Sequence, residues 1–172
     1  MRGKRGSGSA DNVHPITAVA ASLVWNLPLP EFADVDDVCN AVGLLHGRRL
    51  VFAEMPGARL RATTGILVEA QTFTGILVVA EDSAYYSTLS KLHELGHLIV
   101  RQAPDDWFPE GVTRPKQPHP NSPQHLRLCP RNSSESADAD TVWEEAIVEE
   151  MARELMRRLA SFGDSSEEEH FG

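Results

Sequence analysis

His93-Glu94-Leu95-Gly96-His97 combines residue types and a spacing that can do chemistry. On a helix, side chains four positions apart stand on one face, one turn above the other, so two imidazoles at this spacing can reach a single metal ion. Such a pair suits zinc, and Glu94, one step round the helix from His93, can approach a water beside the ion and take its proton. The surrounding residues carry a helical apolar pattern: Leu89, Leu92, Leu95, Leu98 and Ile99. Gly96 costs a helix about 1 kcal/mol relative to alanine. A glycine at this place implies that another part of the chain comes close to the backbone.

Two histidines do not complete a site. A catalytic zinc takes three protein ligands and keeps one position for water. A third histidine six residues beyond the second, with a glycine between, is excluded because those positions are Ala103 and Val100. The alternative is a carboxylate on a second helix, and residues 141–159, TVWEEAIVEEMARELMRRL, provide that helix. Trp143, Ile147, Met151 and Leu155 form an apolar stripe, with Val148, Ala152 and Leu159 beside it. Asp140 or Thr141 suits the N-cap; Glu144 and Glu145 fall in the first turn and Arg153, Arg157 and Arg158 towards the other end, as the helix dipole favours. Glu145 and Glu149 share a face with Val148, next to the stripe. Glu145 is therefore expected as the third ligand, with Glu144 as the alternative. Glu149, one turn on, is expected to accept the outer N–H of a zinc-bound histidine. Glu144, Glu150 and Glu154 are otherwise expected on the solvated side, paired with the arginines.

The combination of HELGH with a later Glu145-Ala146-Ile147-Val148-Glu149-Glu150-Met151-Ala152 on an amphipathic helix resembles the ImmA/IrrE-type metallopeptidases, a minimal, gluzincin-like branch of the zincins. The resemblance runs from about Arg48 to about Leu159. It implies a zinc-dependent peptidase that cuts a helix-turn-helix transcriptional repressor, or a zinc-binding, toxin-like partner of such a repressor with little general proteolysis. The chain departs from the common pattern at Leu92, where a small residue is usual, and in the longer gap between His97 and Glu145, which leaves the choice between Glu144 and Glu145 open.

These motifs need a scaffold, and the rest of the chain supplies its elements. Residues 15–26 read as a short helix, and Phe32, Val35, Val38, Cys39, Val42 and Leu45 give a second, from about Glu31 to a stop at Gly47. Leu50–Glu54 reads as a strand; Gly65–Ala70 and Gly75–Ala80, GILVEA and GILVVA, read as a hairpin. The motif helix follows from about Ser83 to Arg101. Residues 104–140 are rich in Pro, Ser, Asn and Asp with almost no periodicity and read as a long surface excursion, partly disordered, with His119 and His125 as polar loop residues rather than alternative metal ligands. Residues 1–12 read as a disordered tail, 163–172 as an acidic tail, and 13–162 as a single metallopeptidase domain. The expected fold is α+β: a minimal zincin-like domain in which a small, twisted, antiparallel-dominated sheet is covered on one face by the HExxH helix and the Glu145 helix. An N-terminal helix packs nearby.

The run Gly75-Ile76-Leu77-Val78-Val79 carries no charge or proline to blunt it, which marks it as a candidate edge strand to which an extended substrate adds by main-chain hydrogen bonds. Tyr85, Tyr86, His119 and His125 are candidate donors to the oxyanion of the reaction.

Composition narrows the function classes. The 172 residues suffice for one domain with its own core. A net charge of −9 argues against direct nucleic-acid binding, which draws on clustered cations. The two cysteines, Cys39 and Cys129, have no framework spacing and suit a reducing, cytoplasmic compartment. Arg2, Lys4 and Arg5 followed by an apolar stretch imitate a signal peptide, but Asp11, Asn12, His14 and Pro15 intervene and no small-residue cleavage pattern follows. No run approaches the roughly eighteen apolar residues of a membrane span. Three classes remain: a zinc endopeptidase acting on a protein or peptide substrate, a zinc-holding regulatory partner, and an interaction protein without metal.

Overall fold

The computed structural model describes residues 15–57, 63–112, 114, 125–130 and 139–163. In chain order these form α1 (Pro15–Asn26), α2 (Val35–His46), β1 (Arg49–Met55), β2 (Thr63–Glu69), β3 (Phe73–Val79), α3 (Ala84–Gln102), β4 (His125–Pro130) and α4 (Ala139–Gly163). A short 3-10 turn, Asp105–Trp107, follows α3. The expected tail at 1–12, the acidic tail beyond Gly163 and His119 lie outside the described residues.

Local sequence accounts for the helix ends. Asp34 caps α2: it accepts from the Asp37 backbone N–H while the Asp37 side chain accepts from that of Asp34, a reciprocal capping box. The helix therefore begins at Val35 rather than Glu31, and Phe32 stays outside it, 69% exposed. Gly47 ends α2 in the left-handed conformation, φ 69°, which a residue without Cβ adopts freely. Ser83 caps α3, accepting from the Tyr86 backbone N–H, and Pro104 follows its last turn.

The sheet has four strands in the order β1-β3-β2-β4. β3 pairs with β1 in parallel and with β2 antiparallel, and β2 pairs antiparallel with β4. This corrects two expectations. Gly75–Val79 is not an edge available to a substrate: it is an interior strand with neighbours on both sides. Ile76 and Val78 are wholly buried, so the missing charge and proline reflect a place inside the sheet. Residues 104–140 are also not all loop, since β4 arises within them and covers the outer side of β2. The described sheet therefore ends at β1 and β4.

Alternation along the strands sorts the residues that matter. Gly65, Leu67 and Glu69 of β2 share a face, and register places Val78, Ile76 and Thr74 of β3 beside them. α3 lies on that face, and its other side packs on α4. α4 thus forms a further layer with α1 behind the motif helix, instead of sharing the sheet with it as expected. One core runs through these layers, from Leu67, Ile76 and Val78 through Leu92, Leu95, Leu98 and Ile99 to Ile147, Val148, Met151 and Leu155, and on to Val19, Leu23 and Val24. No helix among the described residues is long and apolar enough to cross a membrane.

The interior place of β3 can be tested with Val78→Pro. Proline removes a ladder donor and is confined to edges and bulges of sheets. The variant is expected to lose the cooperative thermal transition seen by circular dichroism; a melting temperature near wild type would return β3 to an edge.

Candidate metal centre

The site is built where α3 and α4 come closest. A Cβ placed on Gly96 would lie 2.9 Å from Val148 Cγ1 and 3.6 Å from Val148 Cα, so the glycine is what lets the α4 backbone approach. Val148 is wholly buried in this contact. Glu145 stands three residues before Val148 on the same side of α4, and His93 and His97 stand on either side of Gly96 along α3. The contact thus delivers Glu145 to the two histidines. The sequence implied a close approach at Gly96, and α4 is what makes it.

The three side chains converge. Ligand atoms of His93, His97 and Glu145 all lie within 4.8 Å of one another. His93 Nε2 is 3.3 Å from Glu145 Oε2, and His97 Nε2 is 3.5 Å from Glu145 Oε1. Zinc bound by nitrogen and oxygen at about 2.0–2.2 Å spaces its tetrahedral ligand atoms about 3.3–3.5 Å apart. Two nitrogens and a carboxylate this close together could hold a metal ion, with a different oxygen of Glu145 facing each histidine. The His93 Nε2 atom is buried and makes no hydrogen bond, so its polarity is directed at the shared space in front of Glu145. The His93 and Glu145 side chains keep 16% and 26% of their surface exposed, which leaves the group reachable from solvent on that side.

Glu144 sets the orientation of His97. Its Oε1 lies 2.9 Å from His97 Nδ1 in a buried hydrogen bond. A carboxylate accepts, so Nδ1–H donates, and the neutral ring then carries its lone pair on Nε2, the atom facing Glu145. This corrects the assignment of Glu149 to that role. Glu149 is exposed and pairs with Arg153 one turn further along α4. It also removes Glu144 from the solvated side, since that residue is only 6% exposed. Glu150 and Glu154 do pair with arginines, with Arg153 and Arg157 respectively.

Glu94 turns towards the sheet. It lies about 100° round α3 from His93 and about 60° from His97, and it is wholly buried. Its carboxylate rests on Gly65 of β2: a Cβ there would lie 2.6 Å from Glu94 Oε1 and 3.1 Å from Cδ. In sequence Gly65 marks the start of a strand, and a glycine in a strand commonly signals a close approach.

The two tyrosines expected as oxyanion donors stand away from the group. Tyr85 and Tyr86 stand in the first turn of α3, more than half exposed, and stack edge-on against one another at 5.4 Å. Tyr86 precedes His93 by seven residues, about 10.5 Å along the helix axis. His125 opens β4, in register with Glu69. Comparison of the chain with protein-family models, curated proteins and solved structures finds no match.

Gly96→Ala tests the contact that assembles the site. Alanine favours the helix by about 1 kcal/mol, but overpacking against Val148 opposes this by about 1–3 kcal/mol. A lower melting temperature together with weaker zinc binding is expected, because displacing Val148 carries Glu145 away from the histidines. Wild-type stability and zinc affinity would show that the approach of α4 does not depend on Gly96.

Proposed function

We propose that this protein is a zinc-dependent endopeptidase in which His93, His97 and Glu145 hold the ion and Glu94 is the general base. The observation that carries the reading is the convergence of three ligand atoms, from two helices, within 4.8 Å beside a buried glutamate of the same motif. Zinc, when bound, supplies a Lewis acid and draws the pKa of water from about 15.7 towards about 7. Glu94 accepts the proton of the attacking water at its carboxylate and hands it to the departing amine. Gly65 leaves room for that carboxylate, and Glu144 keeps His97 in the tautomer that can bind metal.

The substrate class follows from the resemblance of HELGH and the Glu145 helix to ImmA/IrrE-type metallopeptidases: an exposed segment of a helix-turn-helix transcriptional regulator. With β3 interior, the peptide is assigned to the outer side of β4, the edge on the side of the sheet where Gly65 meets Glu94. A second reading, a zinc-holding regulatory partner of a repressor without general proteolysis, is favoured by one observation: Glu94 has no exposed surface.

Five single substitutions separate these readings. His93→Ala or His97→Ala is expected to abolish tight zinc binding by elemental analysis, and Glu145→Ala to weaken it strongly; a protein that stays metal-free after reconstitution would dismiss both. Glu94→Gln is expected to keep zinc and fold while cleavage of the regulator falls about a hundred- to ten-thousandfold. Equal rates in wild type and Glu94→Gln would remove Glu94 as the base. Gly65→Ala is expected to act in the same direction, keeping zinc but slowing cleavage, because the new methyl displaces the Glu94 carboxylate.

A further inference from the structure

We propose that Arg101 is a positioning residue of the metal site: its guanidinium, held between Glu69 of β2 and Glu144 of α4, keeps Glu144 where it orients His97. The inference rests on the zinc reading above.

Arg101 follows His97 by one helical turn on the same face of α3, which aims it along the histidine stripe towards α4. It is only 8% exposed. Its Nε lies 3.4 Å from Glu144 Oε1, the same oxygen that accepts from His97 Nδ1 at 2.9 Å. Its Nη1 donates to Glu69 Oε2 at 3.3 Å. Glu69 in turn lies 3.9 Å from Arg48 through its other oxygen. Charges therefore alternate along one line, Arg48, Glu69, Arg101 and Glu144, ending at His97.

The geometry assigns each member a task. A buried carboxylate needs a counter-charge and its hydrogen bonds to stay ionised and in place. Glu144 has His97 on one side, in a hydrogen bond, and Arg101 on the other, whose Nε makes no hydrogen bond and faces the same oxygen as a counter-charge, both from the same helix. Arg101 is itself fixed by Glu69, which lies on the same sheet face as Gly65, the glycine under Glu94. A planar guanidinium with several donors can face two carboxylates at once. A lysine ammonium is a point charge on a flexible stem and cannot hold both in the same way. The alignment of His97 thus depends on β2 as well as on α4.

The test measures zinc affinity of the full-length protein by competition with a chromophoric chelator, alongside the visible spectrum of the cobalt-substituted protein and the melting temperature without metal. Arg101→Gln is expected to weaken zinc binding about 10–100-fold, the range found when partners of metal-bound histidines are removed. Arg101→Lys should fall between it and wild type. Glu69→Gln, which touches neither ligand nor Glu144, should weaken binding in the same direction, and the cobalt spectrum should shift in all three. If Arg101→Gln does not fold, Arg101→Lys and Glu69→Gln carry the test. A wild-type protein that binds zinc, with Arg101→Lys and Glu69→Gln matching its affinity and cobalt spectrum, would overturn the role of Arg101, whatever happens to the melting temperature. A wild-type protein that binds neither metal would instead remove the zinc reading on which the inference stands.

Discussion

The contact between Gly96 and Val148 is the constraint on which the site depends. Helix axes usually stand 8–10 Å apart, according to the side chains between them, and a methyl group at position 96 would already collide with Val148. Removing that methyl brings one turn of α4 close enough for Glu145 to meet His93 and His97 and for the neighbouring Glu144 to reach the other ring nitrogen of His97. Adjacent residues on a helix diverge by about 100°. Two consecutive glutamates can therefore approach one imidazole from different sides, one at Nε2 and the other at Nδ1.

Charge in the interior points the same way. Glu94, His97, Arg101 and Glu144 are all buried within or beside the α3–α4 layer. Ionised groups in such places are seldom the most stable choice, since apolar residues of similar volume often do as well or better. Here each polar head has a definite neighbour: Glu144 at His97, Glu69 and Glu144 at Arg101, Gly65 beneath Glu94. Such an arrangement fixes the placement of side chains at some cost in stability. On the outer face of α4, by contrast, Arg153 and Arg157 pair with Glu149, Glu150 and Glu154 in largely solvated positions, where ion pairs contribute little.

The sheet contributes to the site through β2 more than through β3. The period-two alternation of β2 sets Gly65 under Glu94 and Glu69 under Arg101, positions that recur seven residues apart on α3. Four residues of strand span about 13 Å and seven of helix about 10.5 Å. A strand and a helix running alongside one another can therefore keep both contacts. β4 then covers the outer side of β2, so the strand that supports the site is paired on both sides.

The helices, the pairing of His93 and His97 on one helix face, the 141–159 helix as the source of a carboxylate beside them and the close approach at Gly96 were legible in the sequence, because helical periodicity and capping are set by residues within a turn or two of each other. The caps bear this out at Gly47, and the start of α2 differed only because Asp34 and Asp37 form a local capping box. Strand order was not legible. The apolar run Gly75–Val79 suits an unblunted edge and a buried interior strand equally well, and only pairing with β1, more than twenty residues earlier, decides between them. β4 does alternate, with Leu126 and Leu128 between His125, Arg127 and Cys129, but the run is short, lies inside a polar, proline-rich segment and has its partner, β2, some sixty residues before it. Nor does periodicity distinguish which neighbouring glutamate serves His97. Glu144 and Glu149 differ in how α4 is rotated against α3, and that rotation is settled by how Val148 seats on Gly96. Local spacing determined which residues can act together, and the packing of distant segments decided which of them do.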